Sequence, residues 1–211
     1  MKKLDTVYLY RITHMNNLDF ILKSKRLCCP NLKKNDPNFI GIGDNSLIQS
    51  RKSKQIPIKP KGDFSDYVAF YFGARSPMLY NIQKGYNNVV KRKPEDIIYL
   101  VTSFKTIKEN KSEFVFTDGH GYHNLSQFFN DEKYLKEVDW KTVSLIKWND
   151  TEDDPDRKRK KQAEFLIYKE VPFSMIKAII TYNESTKIKI LTKLAENNIK
   201  CNVIVKSNYY Y

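Results

Sequence analysis

The chain has 211 residues, which is enough for one domain of ordinary size and too short for two full domains. Its 41% hydrophobic residues, with 14 Tyr and 12 Phe, exclude a wholly disordered chain. The 37 Lys and Arg against 24 Asp and Glu give a formal net charge of +13, which indicates a polyanionic partner.

Neither membrane insertion nor secretion is indicated. No apolar run approaches the roughly 20 residues that a membrane-spanning helix needs, and residues 1–15 lack the apolar core of a secretion signal. The cysteines Cys28, Cys29 and Cys201 form no CxxC pair, so neither a disulfide framework nor a zinc site is predicted. We therefore expect a cytoplasmic protein that needs no metal.

Predicted strands and helices alternate along the chain. Runs of β-branched and aromatic residues predict strands at 7–13, 67–72, 97–103, 114–116, 164–168, 178–182 and 202–206. Helical spacing predicts helices at 15–23, 77–84, 125–136, 140–147 and 186–197, with N-caps at Ser76, Asn124 and Ser185. The order predicts one α+β domain over residues 1–211.

Basic residues concentrate in two segments. Residues 23–61 hold ten Lys or Arg and two Asp with little apolar periodicity, which predicts a weakly structured functional insertion. A second basic run, 157–161, follows an acidic run at 151–156. Both basic segments are candidates for binding nucleic-acid phosphates. The alternative is charge that only keeps the chain in solution.

Four side chains are candidates for chemistry. Glu164 begins an otherwise apolar strand, and a buried carboxylate needs a partner or a task because an unpaired buried charge is costly. Exposure to solvent, or pairing with the basic run before it, is the alternative. Arg51 on its own is one of many basic residues. His120 and His123 have an HxxH spacing, but without a third ligand nearby a glycine-containing loop is favoured over a metal site.

Five segments together carry a resemblance to a known family. They read YRITHMNNL at 10–18, DYVAFYFGARSPMLY at 66–80, FVFTD at 114–118, VDW at 138–140 and KKQAEFLIY at 160–168. In this order they resemble the DarT family of bacterial DNA ADP-ribosyltransferase toxins over nearly the whole chain. The resemblance implies an ADP-ribosyltransferase fold like that of PARP catalytic domains, with a split, mostly antiparallel sheet, flanking helices and a central NAD cleft.

The resemblance also implies roles for individual residues. Arg51 and Glu164 would be catalytic, with Arg51 carried on an NAD-binding element at about 33–51 and residues 119–164 forming a loop that presents the acceptor base. The residues that would bind NAD are Arg11, Ile12, Thr13, Phe20, Cys28 and Arg51. Relatives often have His at the position of Arg11, so a backbone contact to the NAD carboxamide is expected there.

The implied reaction transfers ADP-ribose from NAD, its co-substrate, to thymidine bases in single-stranded DNA and releases nicotinamide. Glu164 would bind the ribose 2′-hydroxyl and stabilise an oxocarbenium-like transition state. Arg51 would either lose a proton in a special site and deprotonate thymine N3, or stay a cation that stabilises the base anion and the NAD pyrophosphate. The implied partners are single-stranded DNA and a DarG-type macrodomain antitoxin of a toxin–antitoxin pair.

Other functions stay open at this point. A guanine-directed, RNA-directed or protein-directed ADP-ribosyltransferase would use the same fold. A non-catalytic nucleic-acid-binding module would use the same basic residues. Binding by such a module would be indifferent to NAD and to Glu164→Gln.

Overall fold

The structure is a computed structural model that describes residues 7–33 and 35–211. Residues 1–6 and residue 34 lie outside the described residues. Residues 1–6 begin the segment predicted to hold no secretion signal, and residue 34 belongs to the predicted NAD-binding element. No helix in the described part of the chain has the length and apolar character to cross a membrane.

The described strands form two sheets. They are β1 (Tyr8–His14), β2 (Arg26–Cys28), β3 (Tyr67–Tyr71), β4 (Ile97–Ser103), β5 (Phe114–Thr117), β6 (Phe128–Phe129), β7 (Glu164–Tyr168), β8 (Glu170–Pro172), β9 (Ala178–Thr181) and β10 (Asn202–Val205). The large sheet has the order β10-β9-β4-β1-β3-β7-β5-β6, and β2 pairs with β8. Every pair is antiparallel except β9 with β10. The predicted mostly antiparallel α+β fold is therefore confirmed.

Within the described residues, seven α-helices flank the sheets. They are α1 (Leu18–Ser24), α2 (Asn45–Lys52), α3 (Pro77–Lys84), α4 (Phe104–Glu109), α5 (Trp140–Ser144), α6 (Arg157–Lys161) and α7 (Glu184–Glu196). α7 connects the two parallel strands, β9 and β10, which need a crossover of this kind.

Aromatic side chains hold the central strands together. Phe70, Phe116 and Phe165 have no exposed surface, and they belong to one apolar cluster between the sheet and its helices. The rings of Phe116 and Phe165 are stacked across β5 and β7 with centroids 6.2 Å apart. Fully buried Phe, Val and Ile side chains of this kind supply most of the free energy that fixes the strand order.

The large sheet opens between β1 and β3. β1 pairs with β4 over all seven of its residues, but it pairs with β3 only through Tyr10 and Tyr71. Beyond that pair the Arg11 guanidinium donates a hydrogen bond to the Ala69 carbonyl at 2.9 Å. A side chain thus satisfies a backbone acceptor that strand pairing leaves free, and the opening is the split predicted for this fold.

The predicted strands are all present, and β4 and β7 have the predicted bounds. The predicted helix at 125–136 is wrong. Part of it forms β6, in which Phe129 stands opposite Phe116 with ring centroids 5.4 Å apart, and a 3₁₀ helix follows at Glu132–Glu137. Burial of Phe129 against the sheet outweighed the helical spacing, so Asn124 caps no helix.

Several boundaries also differ from the sequence predictions. α3 begins as predicted with Ser76 as its N-cap, whereas α5 ends at Ser144 instead of residue 147. The N-cap of α7 is Asn183, whose side chain accepts from the Thr186 amide, and not Ser185. The insertion at 23–61 is more regular than expected, because it contains β2 and α2.

Candidate active site

Glu164 lies at the first position of β7, which is an interior strand of the large sheet. Its residue is 1% exposed, and it stands opposite Tyr71 of β3. The Glu164 backbone amide donates to the Thr117 hydroxyl at 3.1 Å, which ties the start of β7 to the end of β5. The alternative, in which Glu164 faces solvent or pairs with the basic run before it, is therefore wrong.

Arg51 reaches Glu164 from the last turn of α2. Its Nη2 donates to Glu164 Oε2 at 2.6 Å, and the exposed fractions of the two side chains are 14% and 1%. The Arg51 guanidinium also lies over the ring of Phe64, 4.6 Å from its centroid. α2 begins at the N-cap Asp44, which accepts from the Leu47 amide. The structure thus brings together the two residues that the resemblance marks as catalytic.

A glycine completes the surroundings of the carboxylate. The Gly121 amide donates to Glu164 Oε1 at 2.9 Å. A Cβ at Gly121 would lie 2.8 Å from the Phe64 ring, so only glycine lets the backbone approach this closely. Both carboxylate oxygens of Glu164 consequently have a donor, one from a side chain and one from the backbone.

These contacts keep the pair ionised. Burial opposes the charge of Glu164, but the Arg51 guanidinium, the His120 ring and the Gly121 amide together lower its pKa below the ordinary value. Burial likewise opposes the charge of Arg51, yet the Glu164 carboxylate raises the Arg51 pKa. Burial and the nearby carboxylate raise the pKa of the Tyr71 phenol, which stays protonated.

The sequence indicated His120 only as a possible metal ligand, whereas in the structure it interacts electrostatically with the Arg51–Glu164 pair. Burial lowers its pKa, and although the Glu164 charge acts in the opposite direction the ring is less basic than an ordinary histidine. The ring is therefore neutral at pH 7. The predicted glycine-containing loop is confirmed here, and the only sequence signal for a role is that His120 lies between Gly119 and Gly121.

An open cleft of about 590 Å³ lies beside the ion pair. It runs between the end of α2 and the loop that carries His120, and it is lined by Ser50, Ser53, Lys54, His120, Tyr122, His123 and Asn124. Its volume is in the range of small-molecule sites. A larger open cavity of about 900 Å³ lies between α7 and β10 and contains no predicted catalytic residue.

Arg159 holds the loop that lines this cleft. It is 10% exposed and forms ion pairs with Asp118 at 3.0 Å and with Asp156 at 2.7 Å. Its backbone carbonyl accepts from the His120 amide at 2.9 Å, and its Nη1 donates to Ser126 Oγ at 3.1 Å. The segment at 119–164 is accordingly a fixed assembly containing β6, α5 and α6, and not one continuous loop.

The predicted NAD-binding residues of β1 lie at the split in the sheet. Arg11 uses its side chain on Ala69, and Ile12 and Thr13 are buried. Thr13 Oγ1 accepts from Asn17 Nδ2 at 3.0 Å. Their contact with NAD stays a prediction.

Asn17 joins β1 to the predicted NAD-binding element. Its residue is 2% exposed, its Oδ1 accepts from the Ile40 amide at 2.8 Å, and its Nδ2 donates to the Ile40 carbonyl at 3.0 Å. Two reciprocal hydrogen bonds therefore fix the backbone of the 33–51 segment beside Thr13. The sequence carried one hint of this, since Asn17 belongs to the segment at 10–18 that supports the resemblance.

Phe20 and Cys28 lie farther along the same part of the chain. Phe20 is on α1, and Cys28 ends β2 opposite Glu170. Burial raises the pKa of the Cys28 thiol, so it is protonated at neutral pH. The proposed closure of the NAD pocket by these two side chains stays a prediction.

The basic run at 157–161 is largely neutralised or buried. Arg157 and Lys160 pair with Asp154 at 3.4 and 3.0 Å. Lys161 is 3% exposed and donates to the carbonyls of Ala74, Val143 and Leu145, and burial lowers its pKa to about 8. The expectation that the whole run contacts DNA is therefore corrected, and Lys158 is its one exposed member.

No group of three or more metal-ligating side chains occurs within residues 7–33 and 35–211. His120 and His123 instead take part in the loop, where the His123 amide donates to the His120 carbonyl at 2.8 Å.

Comparison with known proteins identifies the family. A sequence model of the DarT family, described as ssDNA thymidine ADP-ribosyltransferase, matches residues 10–211. The chain belongs to the DarT family. It is 32% identical over 203 residues to a DNA ADP-ribosyl transferase of Escherichia coli O127:H6, covering 96% of this chain and 93% of that protein. It is 34% identical to a DNA ADP-ribosyl transferase of Thermus sp. strain 2.9, covering 96% and 95%.

Solved DarT structures have the same fold. The chain superimposes with a TM-score of 0.92 and 32% identity on Thermus sp. 2.9 DarT in complex with ADP-ribosylated ssDNA, with full coverage of both chains. Against Thermus sp. 2.9 DarT in complex with NAD+ the TM-score is 0.85, with 97% and 98% of the two chains covered. The family and fold expected from the five sequence segments are confirmed.

Proposed function

We propose that this chain transfers ADP-ribose from NAD to thymidine bases of single-stranded DNA, with Glu164 and Arg51 as its catalytic pair. The observation that carries the proposal is the buried Arg51–Glu164 ion pair at 2.6 Å, in a chain of the DarT family. Thermus sp. 2.9 DarT has been solved both with NAD+ and with ADP-ribosylated ssDNA, which supports both substrates for this chain.

Glu164 supplies the negative charge that breaking the nicotinamide–ribose bond requires. Cleavage leaves positive charge on the ribose, and a carboxylate facing that charge stabilises the transition state more than the ground state. The lowered pKa of Glu164 keeps the carboxylate ionised over the neutral range. The Gly121 amide donates to Glu164 Oε1 at 2.9 Å. The other oxygen, Oε2, which pairs with Arg51 in this structure, would accept a hydrogen bond from the ribose 2′-hydroxyl.

Arg51 acts as a cation. Its pKa is raised by Glu164, and a guanidinium with a raised pKa is a poor proton acceptor. Of the two roles the sequence left open, electrostatic stabilisation of the NAD pyrophosphate and of the developing base anion is therefore favoured. Arg11 lies close enough to Tyr71 to influence its pKa, as Arg51 does, so two guanidinium groups flank the region where an anionic dinucleotide would bind.

His120 is the candidate acceptor of the thymine N3 proton. It is neutral at pH 7, it interacts with Glu164 and Arg51, and it lines the open cleft. A neutral imidazole can take a proton at physiological pH, whereas a cationic guanidinium cannot. The 590 Å³ cleft is then the place of the acceptor base.

The biological setting is a toxin–antitoxin pair in the cytoplasm. A curated relative from Thermosipho africanus, 25% identical over 205 residues, is a DNA ADP-ribosyl transferase-DNA ADP-ribosyl glycohydrolase fusion protein. It supports a DarG-type macrodomain antitoxin as the partner that removes the modification. The three cysteines are free thiols, which agrees with a reducing compartment.

Labelled NAD tests the proposed function directly. The chain is incubated with single-stranded oligonucleotides that each lack one of the four bases, and with a matched RNA. Label is expected on every DNA except the one without thymidine. Label on thymidine-free DNA, on RNA, or on protein in a nuclease-resistant form would overturn the proposal in favour of a guanine-directed, RNA-directed or protein-directed enzyme.

A further inference from the structure

Four aromatic rings meet on the surface, away from the Arg51–Glu164 pair. Tyr80 of α3 contacts Tyr86, Trp148 and Tyr211, with centroid distances of 5.7, 5.6 and 5.1 Å. Tyr86 is 53% exposed, and the other three rings are partly exposed. We call these four residues the aromatic platform. Tyr80 and Tyr86 are near each other in sequence, but Trp148 and Tyr211 come from distant parts of the chain, so the fold creates the platform.

Hydrogen bonds fix the orientation of the platform. Trp148 Nε1 donates to the Tyr211 hydroxyl at 2.8 Å, and that hydroxyl donates to the Arg75 carbonyl at 2.5 Å. The polar edges of Trp148 and Tyr211 are thereby used within the protein. What remains for a ligand is mainly the ring faces, which suit stacking.

Three cations lie over these rings. The Arg75 guanidinium is 4.5 Å from the Tyr211 centroid, while the ammonium groups of Lys84 and Lys158 are each 5.9 Å from a ring of the platform. Over residues 7–33 and 35–211 none of the three forms an ion pair with a carboxylate. The Nε of Arg75 is also buried without a hydrogen-bond partner.

Two acidic residues of the neighbouring turn are already paired with other cations, while Glu152 and Asp153 are exposed. Asp154 pairs with Arg157 and Lys160, and Asp156 pairs with Arg159. Asp150 accepts from the backbone amide of residue 158 at 2.8 Å, so it caps α6 without occupying the ammonium group. The platform therefore combines partly exposed aromatic rings with three cations that form no ion pair within residues 7–33 and 35–211.

Lys161 links the platform to the active site. Its buried ammonium binds the carbonyls of Ala74, Val143 and Leu145 at 2.7–3.1 Å. Ala74 directly precedes Arg75, residues 143–145 lead into Trp148, and Lys161 itself lies three residues before Glu164. The hydrogen bonds of Lys161 thus connect the segments that carry the platform to the start of β7.

We infer that the aromatic platform binds the single strand that flanks the target base, with bases on the ring faces and phosphates on the three cations. This inference rests on the proposed function. Ring faces joined to lysines and arginine are how proteins hold single strands without reading sequence. A duplex offers no free base faces for such stacking, so the platform fits single-stranded DNA and not duplex DNA.

The test compares a triple variant, Lys84→Ala with Tyr86→Ala and Lys158→Ala, with the wild-type chain. The matched control changes Lys189, Lys200 and Tyr8 to Ala, which removes the same side-chain types at exposed positions away from the platform. Binding is measured by fluorescence anisotropy on a thymidine oligonucleotide of about twelve nucleotides and on one of about four nucleotides. Melting curves check that both variants are folded.

The platform variant should bind the longer oligonucleotide at least about tenfold more weakly than the control variant. Its plot of log affinity against log salt should be shallower by about 1.4, since each lost single-strand phosphate contact removes about 0.7. Affinity for the shorter oligonucleotide, and nicotinamide release with it, should match the wild type.

Two results separate the platform from the proposed function. If the platform variant binds the longer strand as tightly as the control variant, or loses affinity only for duplex DNA, the platform inference is wrong even though thymidine is modified. If the wild-type chain transfers no label to any oligonucleotide, the proposed function fails, and the platform inference fails with it.

Discussion

At the scale of single residues, the proposed mechanism depends on which side chains of the candidate active site are charged. Arg51 and Glu164 are both ionised because each stabilises the charge of the other in a buried setting. Such a pair contributes little net stability, since desolvation opposes the Coulombic gain. Its presence at the start of an interior strand is better explained by chemistry than by stability.

Arg51→Lys tests the role of the guanidinium. Lysine keeps the charge but loses the planar fork, so we expect kcat/KM for ADP-ribosyl transfer to fall about 10²-fold with the fold intact. The matched control is Arg26→Lys, whose residue pairs with Glu170 on the surface and should retain wild-type activity. Full activity of Arg51→Lys would mean that a readily titrated amine suffices, as the proton-acceptor role of Arg51 requires.

The pH profile tests His120. Its pKa is lowered by burial, so the ring is neutral above about pH 6.5, and activity should fall only as the pH drops through the lowered value. His120→Gln should reduce kcat and remove that acidic limb of the profile. An unchanged acidic limb in His120→Gln would rule out this ring as the proton acceptor.

Glu164 gives a second, separate pH signature. Because its folded pKa is lowered, the ion pair stabilises the protein above the unfolded value of about 4.3 and loses this contribution as the pH falls through the folded pKa. Glu164→Gln should therefore flatten the acid part of the curve of melting temperature against pH. An acid curve identical to that of the wild type would contradict the ionised state assigned to Glu164.

At the scale of elements, three segments converge on the ion pair. α2 delivers Arg51, β7 begins at Glu164, and the loop after β5 delivers Gly121 and His120. Asn17 fixes the segment before α2, and Arg159 fixes the loop after β5. The segment before α2 and the loop after β5 are thus each held in place by a buried or nearly buried polar side chain.

Asn17→Ala tests the attachment of the predicted NAD-binding element. The change leaves the Ile40 amide without its partner, which costs roughly 1–3 kcal/mol of stability. Since the 33–51 segment would be freed, KM for NAD should rise several-fold with a smaller change in kcat, and limited proteolysis should cut within that segment. Asn31→Ala, at an exposed Asn, is the control. Equal KM values for the two variants would remove Asn17 from the site.

At the scale of the whole molecule, local sequence patterns predicted where the strands lie, but not which distant residues they contact. The apolar run of β4 and the segment beginning at Glu164 specify strands whatever lies around them. The predicted helix at 125–136 does not form because Phe129 pairs with Phe116 of β5. Residues 125–136 on their own do not reveal this contact. Similarly, the charges at 157–161 were visible, but the pairing of Arg159 with Asp118, 41 positions earlier, depends on the fold.

The sequence pattern alone marked Glu164, and the resemblance was needed to name Arg51 as the second catalytic residue. Nothing local marks Arg51 among ten basic residues of its segment, because 113 positions separate it from Glu164. Asn17 was missed, and His120 was considered only as a metal ligand, because their partners at residues 40 and 164 come from other elements. Residue type supplies the chemistry, and the fold supplies the neighbours.

Glu164→Gln, assayed for ADP-ribosyl-thymidine and for released nicotinamide, is the sharpest test of the catalytic role proposed for the Glu164 carboxylate. The account predicts a folded protein that still binds single-stranded DNA and whose turnover is about 10²–10³ lower, because the amide keeps the shape and loses the charge. Glu170→Gln, at an exposed Glu on β8, should be as active as the wild type. Turnover by Glu164→Gln equal to that of Glu170→Gln would contradict the account.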